Sequence, residues 1–183
     1  MKTVQTTIVP NSALYSNAQN AHTSGNISKA ETICRQILNT NAKDSIALHG
    51  LGLIALGQNH HKAGLELISK AAEVDKTDDL IALNLGIAYS LNGMQEKAGE
   101  AFQRAIALEP NNLDARFNCG THFLEMKEFE NAISEFRKII KKQPNNYYCL
   151  INLGISYVEI GQYSQKEAFV KDLSIRAVGN RYR

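Results

Sequence analysis

Gly52, Gly86, Gly120 and Gly154 each follow the last by 34 residues, and all four fall in stretches that otherwise read as helix. A glycine inside a helix costs about 1 kcal/mol relative to alanine. A chain that accepts this cost repeatedly at one period needs two helices to come close at that point. A fixed period of about 20 to 50 residues marks a stacked array of small structural units. Counting from the glycines gives five blocks, residues 11–44, 45–78, 79–112, 113–146 and 147–180, with 1–10 as a flexible N-terminal extension and 181–183 as a tail.

The third block shows the pattern most clearly. Apolar residues at helical spacing predict a first helix over about Leu80–Leu91, burying Leu83, Leu85, Ala88 and Tyr89. Asn92-Gly93 breaks it. A second helix over about Met94–Leu108 carries Ala98, Phe102, Ala105 and Ile106 on one stripe. Pro110 ends it, because proline cannot continue a helix. The fourth block repeats the pattern with Phe117, Cys119, Gly120, Phe123 and Leu124, then Phe129, Ala132, Phe136 and Ile139, and ends at Pro144.

Leu85-Gly86, Tyr89, Gly93, Ala98, Phe102, Ala105 and Pro110 resemble the pattern of a tetratricopeptide repeat. The fifth block supplies Leu153-Gly154, Tyr157, Gly161 and Tyr163, and the second Leu51-Gly52, Ile68 and Ala71. The first has Ala18 in place of glycine and then follows with Gly25, Ile27, Ala30, Cys34 and Ile37. Departures are Ala55 and His61 where aromatics are usual, and Lys166 where alanine is usual. The last repeat, with a second helix expected over about 164–178, is therefore degenerate or an end cap, and terminal repeats need a polar outer face. The resemblance implies an all-α fold, a right-handed α-solenoid of about five stacked helix-turn-helix repeats.

The resemblance also implies that the first helix of each pair lines a concave face, with the residue two before each glycine pointing into it. Those residues are Ser16, Gly50, Asn84, Asn118 and Asn152. Asparagine at one register in three successive repeats resembles the asparagine ladder of O-linked N-acetylglucosamine transferase repeat regions. A carboxamide offers both donor and acceptor to a peptide backbone. Neighbouring helices about 8–10 Å apart would meet an extended chain about every three residues. The alternative reading is that Asn84, Asn118 and Asn152 are solvated polar residues on amphipathic helices. Around them the expected groove residues are Leu80, Leu83, Ile87, Phe117, Thr121, Tyr148, Ile151 and Ile155, some of which a plain inter-repeat core would also use. This groove is apolar and nearly neutral. The family's carboxylate clamp needs lysine or arginine there, and Arg116 falls on the core side, so an acidic tail is not the expected ligand.

Composition narrows the choice further. With 20 basic and 18 acidic residues, net +2, nothing points to nucleic acid. The odd cysteine count, Cys34, Cys119 and Cys149, fits a reducing compartment rather than a disulfide framework. The first ten residues lack the apolar core of a secretory signal, and the apolar run at 51–57 is too short to span a bilayer, so the chain is expected to be cytoplasmic without membrane insertion. No catalytic constellation, metal site or cofactor is expected. Adjacent residues His60 and His61 point apart on a helix. Cys119 and His122 have ligand-like spacing, but Cys119 sits at a core position. Gly50-Leu51-Gly52 lacks the strand and third glycine of a dinucleotide loop. The expected function is a non-catalytic protein-interaction scaffold holding an extended, largely neutral or apolar peptide. Two alternatives stand beside it. One is a partner-recruiting segment of a larger glycosyltransferase or methyltransferase. The other is a self-assembling scaffold, a homo-oligomer formed through the end repeats or by Thr6-Thr7-Ile8-Val9-Pro10 docking into a neighbour.

Overall fold

The computed structural model describes residues 11–161; the N-terminal extension, the expected second helix of the last repeat and the tail lie outside the described residues. The regular elements among the described residues are all helices: α1 (Asn11–Thr23), α2 (Ile27–Thr40), α3 (Ser45–Gly57), α4 (His61–Val74), α5 (Asp79–Leu91), α6 (Gln95–Leu108), α7 (Leu113–Glu125), α8 (Phe129–Lys142) and α9 (Tyr147–Glu159). Two compact units divide them, Met1–Ala101 and Phe102–Arg183, with the break inside α6.

Local chemistry sets the helix ends at the same period as the glycines. The side chains of Asp44, Asp78, Asn112 and Asn146 cap α3, α5, α7 and α9, each accepting from the backbone N–H three residues on. A cap of this kind is worth about 1 kcal/mol. The turns inside the pairs also keep register. Gly25, Asn59, Gly93, Lys127 and Gly161 all have φ between 62° and 77°. A left-handed residue lets the chain reverse between two packed helices, and glycine takes that conformation freely. Pro110 and Pro144 follow the ends of α6 and α8.

In the first unit, the approach that the glycines demand is visible between α3 and α4. A Cβ on Gly52 would stand 2.4 Å from Ile68 Cγ1, and one on Gly64 would stand 2.5 Å from Leu56 Cδ2. Contacts that run forward on one helix and backward on the other make the pair antiparallel. Leu48, Ile68, Ala71, Ile81, Leu85 and Ala88 close the core over this pair. Ile33, Cys34, Ile37, Ala47 and Leu51 extend it toward α2.

In the second unit, Gly120 on α7 plays the same part against α8, where its Cβ would lie 2.7 Å from Phe136 Cε1. Phe136, Ile139, Cys149, Leu153 and Tyr157 form the centre of that unit. Arg116 donates to Glu135 at 2.7 Å with both side chains largely buried, and Lys138 reaches the other carboxylate oxygen at 2.6 Å.

Candidate functional site

Each aligned asparagine is half-buried and already spends its nitrogen inside the protein. In the first unit, Asn84 Nδ2 donates to Leu80 O at 2.9 Å and lies 3.0 Å from His49 Nε2. A carbonyl oxygen only accepts, so the amide orientation is fixed, and His49 Nε2 must then be the acceptor with its ring proton on Nδ1. Burial holds the His49 imidazole below its ordinary value, partly opposed by the Asp78 carboxylate. In the second unit, Asn118 Nδ2 donates to Asp114 O at 2.8 Å, and Asn152 Nδ2 makes a long bond of 3.4 Å to Thr121 Oγ1. No hydrogen bond among the described residues engages Oδ1 of these three side chains.

The apolar positions around them divide. Leu80 is 53% exposed, and Tyr148, Ile151 and Ile155 stand out from α9 at 77%, 59% and 44%. Ile87 and Thr121 are half-buried. Leu83 is buried, and Phe117 turns inward, its ring 6.0 Å from that of Phe136. These last two serve packing, because the side of a first helix that meets its neighbours is covered as soon as a neighbour is present.

Sequence reading missed part of the surface in the first unit. A cavity of about 370 Å³ opens between α1, α2, α3 and α5, reaching Cys34, Ile37 and Ala47, with Ile46 and Leu80 among its lining. Two signals for it stand in the sequence. Ile46 precedes Leu80 by 34 residues, and Gly50 occupies the register of the asparagines.

Arg116, Cys119 and Cys149 are engaged inside the fold. Arg116 is held by Glu135 and by Pro110 O, to which Nε and Nη2 donate at 3.1 and 2.9 Å, so it is not a free clamp cation. Burial pushes the Cys119 thiol up to about 12, with the Glu135 carboxylate adding to the effect, and burial alone does the same for Cys149. A thiol in that state stays protonated at neutral pH and is a poor nucleophile. Cys149 Sγ donates to Phe136 O at 3.3 Å. Among the described residues no group of His, Cys, Asp and Glu is placed to hold a metal ion, and no helix is long and apolar enough to cross a membrane.

Residues 81–112 and 135–168 each match a family model described as tetratricopeptide repeat. These two segments are tetratricopeptide repeats. Tetratricopeptide repeat protein 6 of Homo sapiens is 27% identical over 113 residues, which is 62% of this chain but only 22% of the relative's length. Among solved structures, a MamA structure superposes with a TM-score of 0.80 at 22% identity, covering 91% of this chain and 97% of that one. An O-GlcNAc transferase from Thermobaculum terrenum superposes with a TM-score of 0.68 at 22% identity, over 72% of this chain and 26% of the transferase. At these identities the likeness is one of fold, an all-α helical repeat solenoid. Tetratricopeptide repeats stack helix pairs so that each unit buries its neighbour's face.

Proposed function

We propose that this chain is a non-catalytic interaction scaffold that holds an extended, largely neutral peptide along its first helices. Residues 11–180 act as the binding array, the last repeat being degenerate or a cap. The observation that carries this reading is the set of open carboxamide oxygens on Asn84, Asn118 and Asn152 at one register of the repeat, beside exposed apolar side chains. Each Oδ1 accepts a backbone N–H from the ligand. Leu80, Tyr148, Ile151 and Ile155 supply apolar contact. With Arg116 engaged, nothing in the set selects an acidic tail.

The test is a positional-scanning library of acetylated, amidated hexapeptides presented to the full chain and to an Asn84→Ala/Asn118→Ala/Asn152→Ala variant. Peptides retained by the parent and lost by the variant, with equal helicity by circular dichroism, support the reading. Equal retention by both refutes the role of the asparagines. Light scattering on the same samples tests the self-assembling alternative.

A further inference from the structure

The cavity in the first unit owes its opening to a missing side chain. Gly50 stands where three other repeats carry asparagine, and a Cβ built on it would come within 3.2 Å of Cys34 Sγ. With only hydrogen there, the opening passes α3 and reaches α2, where Cys34 and Ile37 form part of the floor. Ala47, Ile54 and Ile81 also line it, so the interior is apolar. Two more lining residues, Ile46 and Leu80, are 56% and 53% exposed. Isolated exposed aliphatics are ordinary; two of them at one register beside a single cavity form an apolar lip.

Polar groups define what could enter. Among the described residues Asp78 is the only Asp, Glu, Lys or Arg lining the cavity, with Gln19 and His22 on its α1 side, and its carboxylate caps α5 by accepting from Ile81 N at 2.8 Å. The Cys34 thiol is held in its neutral form by burial and by the Asp44 carboxylate. His49 lines the cavity and is tied through Nε2 to Asn84, whose Oδ1 remains open to a backbone N–H. A volume of about 370 Å³ lies at the small end of ligand pockets. It has room for one large aliphatic side chain with the backbone that carries it.

We propose that the Gly50 cavity is an anchor pocket that takes a Leu, Ile or Met side chain from an extended peptide whose neighbouring residues are not acidic. The inference rests on the peptide-binding reading above and adds the residue class that fixes the peptide's register. Burying one such side chain is worth about 10- to 100-fold in affinity.

The same hexapeptide library, presented to the full chain, to Gly50→Asn and to Ile46→Ser, tests it. Gly50→Asn fills the opening with the residue that other repeats hold. Ile46→Ser removes only an exposed lip residue, so it tests the pocket even if the first variant misfolds. The parent is expected to select an aliphatic residue at one position and to reject Asp and Glu beside it. Gly50→Asn should lose that selection and weaken the selected peptide at least about tenfold, and Ile46→Ser should weaken it by about half an order of magnitude. Retention within twofold by both variants overturns the pocket, as does selection of acidic peptides by the parent. In either case the broader groove reading survives if the triple asparagine variant still loses peptides. A parent that enriches no peptide overturns both readings, and Gly50-dependent dimers in light scattering would then make a second copy the occupant.

Discussion

Gly120→Ala probes the physical reason for the glycine period. The new Cβ would lie 2.7, 3.0 and 3.1 Å from Cε1, Cζ and Cδ1 of Phe136. Carbon pairs prefer about 3.5–4.0 Å. The ring cannot simply retreat, because Phe136 is fully buried and packs against Phe117. Forcing a methyl into such a site costs about 1–3 kcal/mol. Alanine returns about 1 kcal/mol of helix propensity within α7. The expected net loss is therefore about 1 kcal/mol. Phe136→Leu removes the ring edge, and in that background Gly120→Ala should become neutral or stabilising by up to about 1 kcal/mol. The coupling in the double-mutant cycle is expected at about 1–3 kcal/mol. Urea denaturation with unchanged m-values measures it. Gly57→Ala is the control: it sits at the end of α3 with nothing within 4 Å of its Cβ, so it should not destabilise. A Gly120→Ala penalty of the same size with and without the Phe136 ring would refute the close-approach argument.

Further expectations follow from the turns, the ion pair and the histidine. Lys127 has φ of 62° where Gly93 has 74°, so Lys127→Gly should stabilise by about 0.5–1 kcal/mol and Gly93→Ala should destabilise by about 1–2 kcal/mol, both read by thermal melts. Glu135→Gln should cost about 1–3 kcal/mol, because it discharges a largely buried partner of Arg116. Lys138→Ala, at the exposed end of the same cluster, should cost less than about 1 kcal/mol in urea titrations. The His49 imidazole titrates lower in the folded protein than its ordinary 6.5, so the unfolded chain takes the proton first. Stability should therefore fall as pH drops from about 6.5 toward the folded value. In His49→Gln this part of the slope should vanish, as paired melts at pH 7.5 and pH 5.5 (on the order of one unit either side of the free imidazole value) would show.

The glycine period carried the fold in plain view, because a glycine in a helix has few uses other than close approach, and Gly52 and Gly120 have that use. The capping register was present but harder to read. Asp44, Asp78, Asn112 and Asn146 alternate between two residue types, and what they share is an oxygen at the correct distance from a backbone N–H rather than a letter. Lys127 could not be read as left-handed from its identity, whereas Asn59 is a residue type that takes that conformation more readily than most. The helices on either side impose that conformation at the price of strain. Leu83 and Phe117 show a further limit. Their spacing places them on a first helix, but only the neighbour's position decides that they are covered while Leu80 and Ile151 are not. Gly50 was visible as a gap in the asparagine register, yet what the gap uncovers depends on Cys34, which belongs to another helix.

The asparagines proposed to meet a peptide also have a part in the fold. Asn84 and Asn152 each reach back to a residue on the preceding first helix of their own unit, His49 and Thr121. A side chain that helps tie two helices together has already lost its rotamer freedom on folding, so a ligand does not have to order it again. The tie also decides polarity. Both Nδ2 hydrogens of Asn84 are directed at acceptors within the protein, leaving Oδ1 to meet a donor. A ligand carbonyl at that point would face an oxygen and be disfavoured, whereas a backbone N–H would be accepted. Asn118 and Asn152 each retain one uncommitted N–H and can pair with both backbone groups. The three sites are therefore alike in sequence and unlike in what they admit. An N–H is required of any peptide that meets Asn84, and either backbone group is tolerated at the other two.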